Sequence, residues 1–285
     1  MLTPKKRPEL GNDVLGVWPC PEPRESLHSA PFRGPVRRTP DMCELNILFE
    51  DEHLIAVNKP SGLLVHPSWI APRGTPNLTS MLKAYLEGTA YTIHRLDRPT
   101  SGVIVFGKSK EVAQQMNLVF AERQVEKTYL CMVRGYTPEE DVIDYALKEK
   151  LDKLADKMAN PDKPAQEAVS AYRRLGTVEL PIAVGRYDQS RYSLVEVKPK
   201  TGRKHQIRRH MKHISHPLLG DTKHGDGRHN KAFREHFDLD RLLLMATELR
   251  FTHPITNEDL VISAPVDETV DALFSQFGWS GLYPV

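Results

Sequence analysis

The sequence predicts an α+β fold built on a mostly antiparallel sheet, and three observations predict it. Apolar runs of strand length are mixed with amphipathic stretches of helix length, without a regular strand–helix–strand alternation. Two short β-prone runs near the start are separated only by Glu50-Asp51-Glu52, which is hairpin spacing. No internal repeat and no sustained heptad organises the 285 residues.

Residues 1–43 are rich in Pro, Gly and charge. Pro19 to Pro23 and Pro31 to Pro40 can hold neither a ladder nor a helix, so a disordered tail is expected ahead of a folded domain over 44–285. Order begins near Leu45, with the hairpin strands at Asn46 to Phe49 and His53 to Val57. Asn58 to Gly62 closes this segment as a loop. A second loop, Pro67 to Pro76, leads to a helix over Asn77 to Leu86, with Asn77 as its N-cap.

His94-Arg95-Leu96-Asp97-Arg98-Pro99-Thr100-Ser101-Gly102 is the most distinctive stretch. It sets two arginines and one carboxylate on turn chemistry, directly before the apolar run Val103 to Phe106. Asp97 is therefore expected on a tight loop beside a buried strand, where a reactive carboxylate is well held. Taken by its spacing alone, an Asp between two arginines is more often a local ion pair or turn cap.

Ser109 can cap a helix to about Glu122, with Val112, Met116, Val119 and Phe120 as its apolar stripe. Lys127 to Val133 reads as a strand. A helical pattern runs from Leu147 to Met158 and is broken by Asn160 to Pro164. Val169 to Leu175 and Ser193 to Val197 read as strands. Thr201-Gly202 is a turn, with a helix from close to Arg203 to about His213. Leu242 to His253 and Leu260 to Ser263 add core and strand, and Asp267 to Phe277 is a last helix.

Composition bounds the function. Charged residues make up 27% and the net charge is +2, too small to argue for nucleic acid by itself. Distribution says more. Lys198 to His213 carries seven Lys and Arg with no Asp or Glu, and they do not share one helical face, so some must point inward. Such a cluster suits phosphate. The histidines of this region lack any carboxylate or thiolate in the run, which argues against a metal centre. Cys20, Cys43 and Cys131 form no CxxC pair or disulfide framework, so a reducing cytoplasm is expected. No apolar run reaches the length of a membrane span.

The string HRLDRPTSG resembles the signature of the RluA-type pseudouridine synthases. NKPSG (Asn58 to Gly62), KTY (Lys127 to Tyr129) and TGRKHQIRRH (Thr201 to His210) resemble further motifs of that family in the same order. Leu64 to Trp69, Leu151 to Lys157, Pro199 to Asp226 and Ser275 to Trp279 resemble its branch acting on U65 of tRNA. The resemblance runs from about Leu45 to the C-terminus and includes no S4-type RNA-binding module. It implies a pseudouridine synthase fold: a long bent, mostly antiparallel sheet with flanking helices and a central RNA-binding cleft.

The same resemblance assigns roles. Asp97 is the catalytic carboxylate, acting at C1′, at C6 or by a glycal route. Arg208 is its cationic partner, or else a phosphate contact. Tyr129 stacks on the flipped base and moves a proton, and Ile207 floors the uracil pocket. Arg95 fills the space left in the RNA stack. Arg98, Arg203, Lys204, His205 and Arg209 contact RNA, and His94 touches phosphate or serves as a structural hydrogen-bond partner. No metal and no cofactor are implied, and a monomer is expected. The rival expectations are the same isomerisation on ribosomal RNA, an RNA-binding module without catalysis, and a metal-dependent RNA hydrolase.

Overall fold

The computed structural model describes residues 45–68, 71–72, 74–148 and 164–283, all within the unit Glu44–Val285. The expected tail over 1–43 and most of the expected helix from Leu147 to Met158 lie outside the described residues.

Among the described residues, ten strands form one sheet: β1 (Ile47–Glu50), β2 (Leu54–Lys59), β3 (Tyr91–Thr92), β4 (Ser101–Gly107), β5 (Glu126–Arg134), β6 (Glu140–Asp144), β7 (Val169–Leu180), β8 (Ser190–Pro199), β9 (Leu244–Thr252) and β10 (Asp259–Ser263). The order is β1-β2-β4-β9-β5-β8-β7-β6, with β3 beside β4 and β10 beside β9. Every pairing is antiparallel except β4 with β9. The expected hairpin is β1–β2, and its turn is fixed by Asp51 Oδ1, which accepts from the amides of His53 and Leu54.

Five helices among the described residues pack on the sheet: α1 (Leu78–Tyr85), α2 (Lys110–Ala121), α3 (Gln206–His213), α4 (Gly227–Phe237) and α5 (Glu268–Gln276). Asn77, Ser109 and Asp267 cap α1, α2 and α5 through side-chain oxygens that accept from Ser80, Val112 and Val270 amides. β4 is buried at every position, and its alternation divides the core. Val103 and Val105 pack with Val112 and Met116 of α2, while Ile104 and Phe106 pack with Leu78 and Leu82 of α1. β5 repeats the pattern. Leu130 and Met132 meet Phe274 of α5, and Cys131 and Val133 meet Ile207 and Met211 of α3. Each such apolar side chain contributes about 1.5–3 kcal/mol by leaving water. One face of the sheet thus carries α1 and α3, and Tyr129 lies where their two clusters join.

Several local expectations are corrected. Leu147 opens no helix: it forms an isolated bridge with Gln166. α3 starts at Gln206 rather than close to Arg203. The preceding turn is closed by the Gln206 side chain, whose Oε1 accepts from Thr201 Oγ1 and the Arg203 amide, and His205 takes a left-handed backbone. α4 and β6 were not anticipated; both are mainly polar, with only Asn230, Ala232 and Phe233 of α4 and Ile143 of β6 buried.

Gly102 has no room for a side chain. Its φ is +108°, and a Cβ there would lie 2.0 Å from the Ala246 carbonyl oxygen on β9. Gly102→Ala is therefore expected to destabilise the protein by about 2–4 kcal/mol, read as a lower midpoint in thermal unfolding.

Candidate active site

The turn carrying Asp97 is pinned from several directions. Thr100 donates its amide to the Asp97 carbonyl at 3.0 Å. The Asn58–Gly62 loop lashes it from the side. Gly62 N–H donates to Arg98 O at 2.8 Å, Arg98 Nε donates back to Gly62 O at 2.9 Å, and Ser61 Oγ donates to Pro99 O at 2.8 Å. Lys59 is fully buried, and its ammonium donates to the carbonyls of Pro60, Leu63 and Arg98. Burial pushes its pKa down to about 7, against the opposing pull of Asp97. At the start of β4, Arg241 donates to Ser101 Oγ at 2.7 Å and is itself ion-paired with Asp267.

Asp97 reaches Arg208 across 111 residues of sequence: Arg208 Nη1 donates to Asp97 Oδ2 at 2.9 Å. Arg208 is buried, with a side chain 5% exposed, whereas Asp97 is 28% exposed. Two more bonds fix the guanidinium. Nε and Nη2 both donate to Asp221, at 2.7 and 2.8 Å, a bidentate pair that sets the plane of the fork. Asp221 also accepts from the amides of Lys223 and His224. Burial pushes Asp221 up, but Arg208 and those amides bring it below its ordinary value. For Arg208, burial pushes down and the two carboxylates more than offset it. Asn230 of α4 holds the Asp221 loop, accepting from Gly220 N–H and donating to the Asp221 carbonyl.

A cleft of about 1060 Å³ opens over this ion pair. Asp97, Tyr129, Arg208, Ile207, Arg95, His94, Arg98, Arg203, Lys204, His205 and Arg209 all line it, as do Lys127 and His66. Tyr129 sits at a bulge between β5 and β9, where the register shifts after Thr128, a device that re-aims a side chain. Burial raises its phenol pKa, and the charge of Asp97 raises it further, so the neutral hydroxyl is retained. Ile207 is buried among the α3 core side chains.

The basic residues divide. Arg95 is exposed and makes no hydrogen bond or ion pair among the described residues. Arg203 Nε donates to Glu167 O, and Arg209 Nη2 to Lys148 O. Lys204 is exposed on the same rim. His205 turns its ring inward within the cleft, with Nε2 3.8 Å from Asp97 Oδ1. His94 is bonded into the fold at the cleft wall. Its Nε2 accepts from Val105 N–H at 3.1 Å and its ring stacks on Phe120. Burial pushes its pKa to about 3, with Lys127 adding to the shift, so it stays uncharged.

Sequence reasoning missed Asp221, Lys59 and His224 as parts of this constellation. Among the described residues, no three His, Cys, Asp or Glu side chains converge in the manner of a metal site.

Comparison with known proteins yields three findings. Residues 53–213 match the family model described as RNA pseudouridylate synthase. A tRNA pseudouridine synthase C of Vibrio parahaemolyticus is 55% identical over 236 residues, covering 83% of this chain and 96% of that protein. One of Yersinia pestis is 50% identical over 240 residues, covering 84% and 93%. Among solved structures, human RNA pseudouridylate synthase domain containing 4 aligns with a TM-score of 0.61 at 26% identity, over 82% of this chain and 93% of that one.

Proposed function

The chain belongs to the RNA pseudouridylate synthase family, and from that premise we propose that it isomerises a uridine of tRNA, U65, to pseudouridine, with Asp97 as the reacting carboxylate. The single observation that carries the reading is the Asp97–Arg208 ion pair on the floor of a cleft also lined by Tyr129.

The net chemistry is internal. The C1′–N1 bond breaks, the uracil turns, and C1′–C5 forms; C5 loses a proton and N1 gains one. Atoms and electrons balance without a cofactor or a metal. The reacting atoms are hidden in a stacked stem, so the nucleotide must be flipped into the cleft, and Arg95 at the open rim is suited to take its place in the stack. A guanidinium donating to one carboxylate oxygen stabilises its negative charge, leaving Asp97 to react from the other. Ile207 and the Tyr129 ring confine the detached uracil, and the Tyr129 hydroxyl is suited to pass the C5 proton. Arg98, Arg203, Lys204 and Arg209 surround the mouth, where RNA phosphates would run.

The protein acts as a monomer in the reducing cytoplasm. Among the described residues, no helix is long and apolar enough to cross a membrane.

The test is a tritium-release assay with tRNA carrying 5-tritiated uridine, followed by mapping of the product. Release of one tritium per tRNA, with pseudouridine at position 65, is expected. Modification of ribosomal RNA in place of tRNA would reassign the substrate, and tight tRNA binding without release would leave only an RNA-binding module. Tyr129→Phe keeps the ring and loses the hydroxyl, so it is expected to slow turnover about 100-fold with KM little changed. An unchanged rate would remove the hydroxyl from the proton path.

A further inference from the structure

A histidine pair beside Asp97 has no part in the isomerisation derived above. His205 Nδ1 lies 2.8 Å from His224 Nε2, with the rings edge to face and their centroids 5.1 Å apart. The other nitrogen, His205 Nε2, lies 3.8 Å from Asp97 Oδ1, the oxygen not hydrogen-bonded to Arg208. The backbone is committed to this arrangement. His205 occupies the left-handed region at φ 55° and ψ 31°, at the N-cap position of α3, yet its side chain makes no cap hydrogen bond. This region is uncommon for a residue with a side chain, and it directs the His205 ring inward.

The 2.8 Å contact has only two donor assignments when both rings are neutral. If His205 donates from Nδ1, its Nε2 lone pair faces a carboxylate, which is repulsive. If His224 donates from Nε2, His205 Nδ1 accepts and Nε2–H faces Asp97. Burial lowers the pKa of His205, and Arg208 and Lys223 add to that, while Asp97 and Asp221 oppose it; the net shift favours the neutral ring.

We propose that His224 is a positioning residue for Asp97: by donating to His205 Nδ1 it fixes the tautomer whose Nε2–H closes onto Asp97 Oδ1 when uridine fills the cleft. A contact of 3.8 Å that tightens as substrate binds is ordinary for catalytic hydrogen bonds. The amide of His224 donates to Asp221 Oδ1 at 2.8 Å, and Asp221 chelates Arg208. One short segment, 221–224, therefore orients both groups that face Asp97. This inference rests on Asp97 being the reacting carboxylate.

Two measurements test it. Nitrogen-15 NMR of histidine-labelled protein, with His205→Gln to assign the signals, is expected to show His205 protonated at Nε2 and bare at Nδ1. The opposite tautomer overturns the proposal whatever the activity. In steady-state kinetics, His224→Met removes the donor at similar volume and is expected to lower kcat about tenfold with KM for tRNA unchanged. His224→Gln, whose amide can donate to Nδ1, is expected to recover most of that loss. Equal kcat in the two variants overturns the proposal, and should the Met variant fail to fold, the NMR result decides. Absence of tritium release by the wild-type protein would instead count against the proposed function, with the tautomer still measurable.

Discussion

Asp97→Asn is expected to abolish pseudouridine formation while the fold and tRNA binding persist. The amide is isosteric, and its oxygen can keep accepting from Arg208 Nη1, now 2.9 Å from Oδ2. What disappears is the anion, and with it nucleophilic or basic reactivity, so turnover should fall by roughly 10⁴-fold or more. Stability should move by no more than about 1 kcal/mol. Asp97 is part exposed, and Arg208 keeps its bidentate partner Asp221, so no charge is left buried and unpaired. Affinity for tRNA should hold or rise slightly, because one negative charge leaves a cleft that receives phosphates. Tritium release and filter binding on the same preparation separate the two effects. Product formation above about 1% of wild type would sit below that loss and take Asp97 out of the chemistry.

How far the site was legible in the sequence depends on whether a side chain works through local or distant contacts. The turn at Asp97, the caps at Asn77 and Ser109, and the buried β4 all follow from neighbours within a few residues, and each was readable. The Asp97–Arg208 pair spans the sheet, and only the family motifs joined its two ends; its geometry was not contained in spacing. The basic run at Lys198 to His213 implied that some cation must face inward, and Arg208 does, but nothing local said which. Asp221 lies within the Pro199 to Asp226 stretch, but an Asp after a Gly reads as a turn residue until the guanidinium opposite is known. The inward turn of His205 depends on a left-handed backbone angle that a non-glycine residue does not announce. α4 escaped because eight of its eleven residues are not hydrophobic, leaving too narrow an apolar stripe to fix a period.

Arg208→Met is expected to damage both stability and catalysis, and a second substitution should separate the two. Removing the guanidinium leaves the Asp221 carboxylate, whose side chain is 0% exposed, with only the Lys223 and His224 amides. Stranding a buried charge in this way costs about 3–5 kcal/mol, a fall of about 10 °C in melting temperature for a chain of this size. In the double variant Arg208→Met/Asp221→Leu neither charge remains, and the two side chains can pack. Most of the lost stability should return, giving a coupling energy of about 2–3 kcal/mol. Catalysis should not return, because Asp97 has still lost the donor at its Oδ2. The acid side of the stability curve gives an independent reading. Asp221 is held below its ordinary value in the folded protein, so its contribution is fully present above the unfolded value of about 4 and is lost as pH falls through the lower folded value. The double variant should lack that acid loss, with a flatter profile below about pH 4. A double variant that regains stability and turnover together would confine Arg208 to holding Asp221 and the fold; regained stability with turnover still absent places its charge on Asp97 during the reaction.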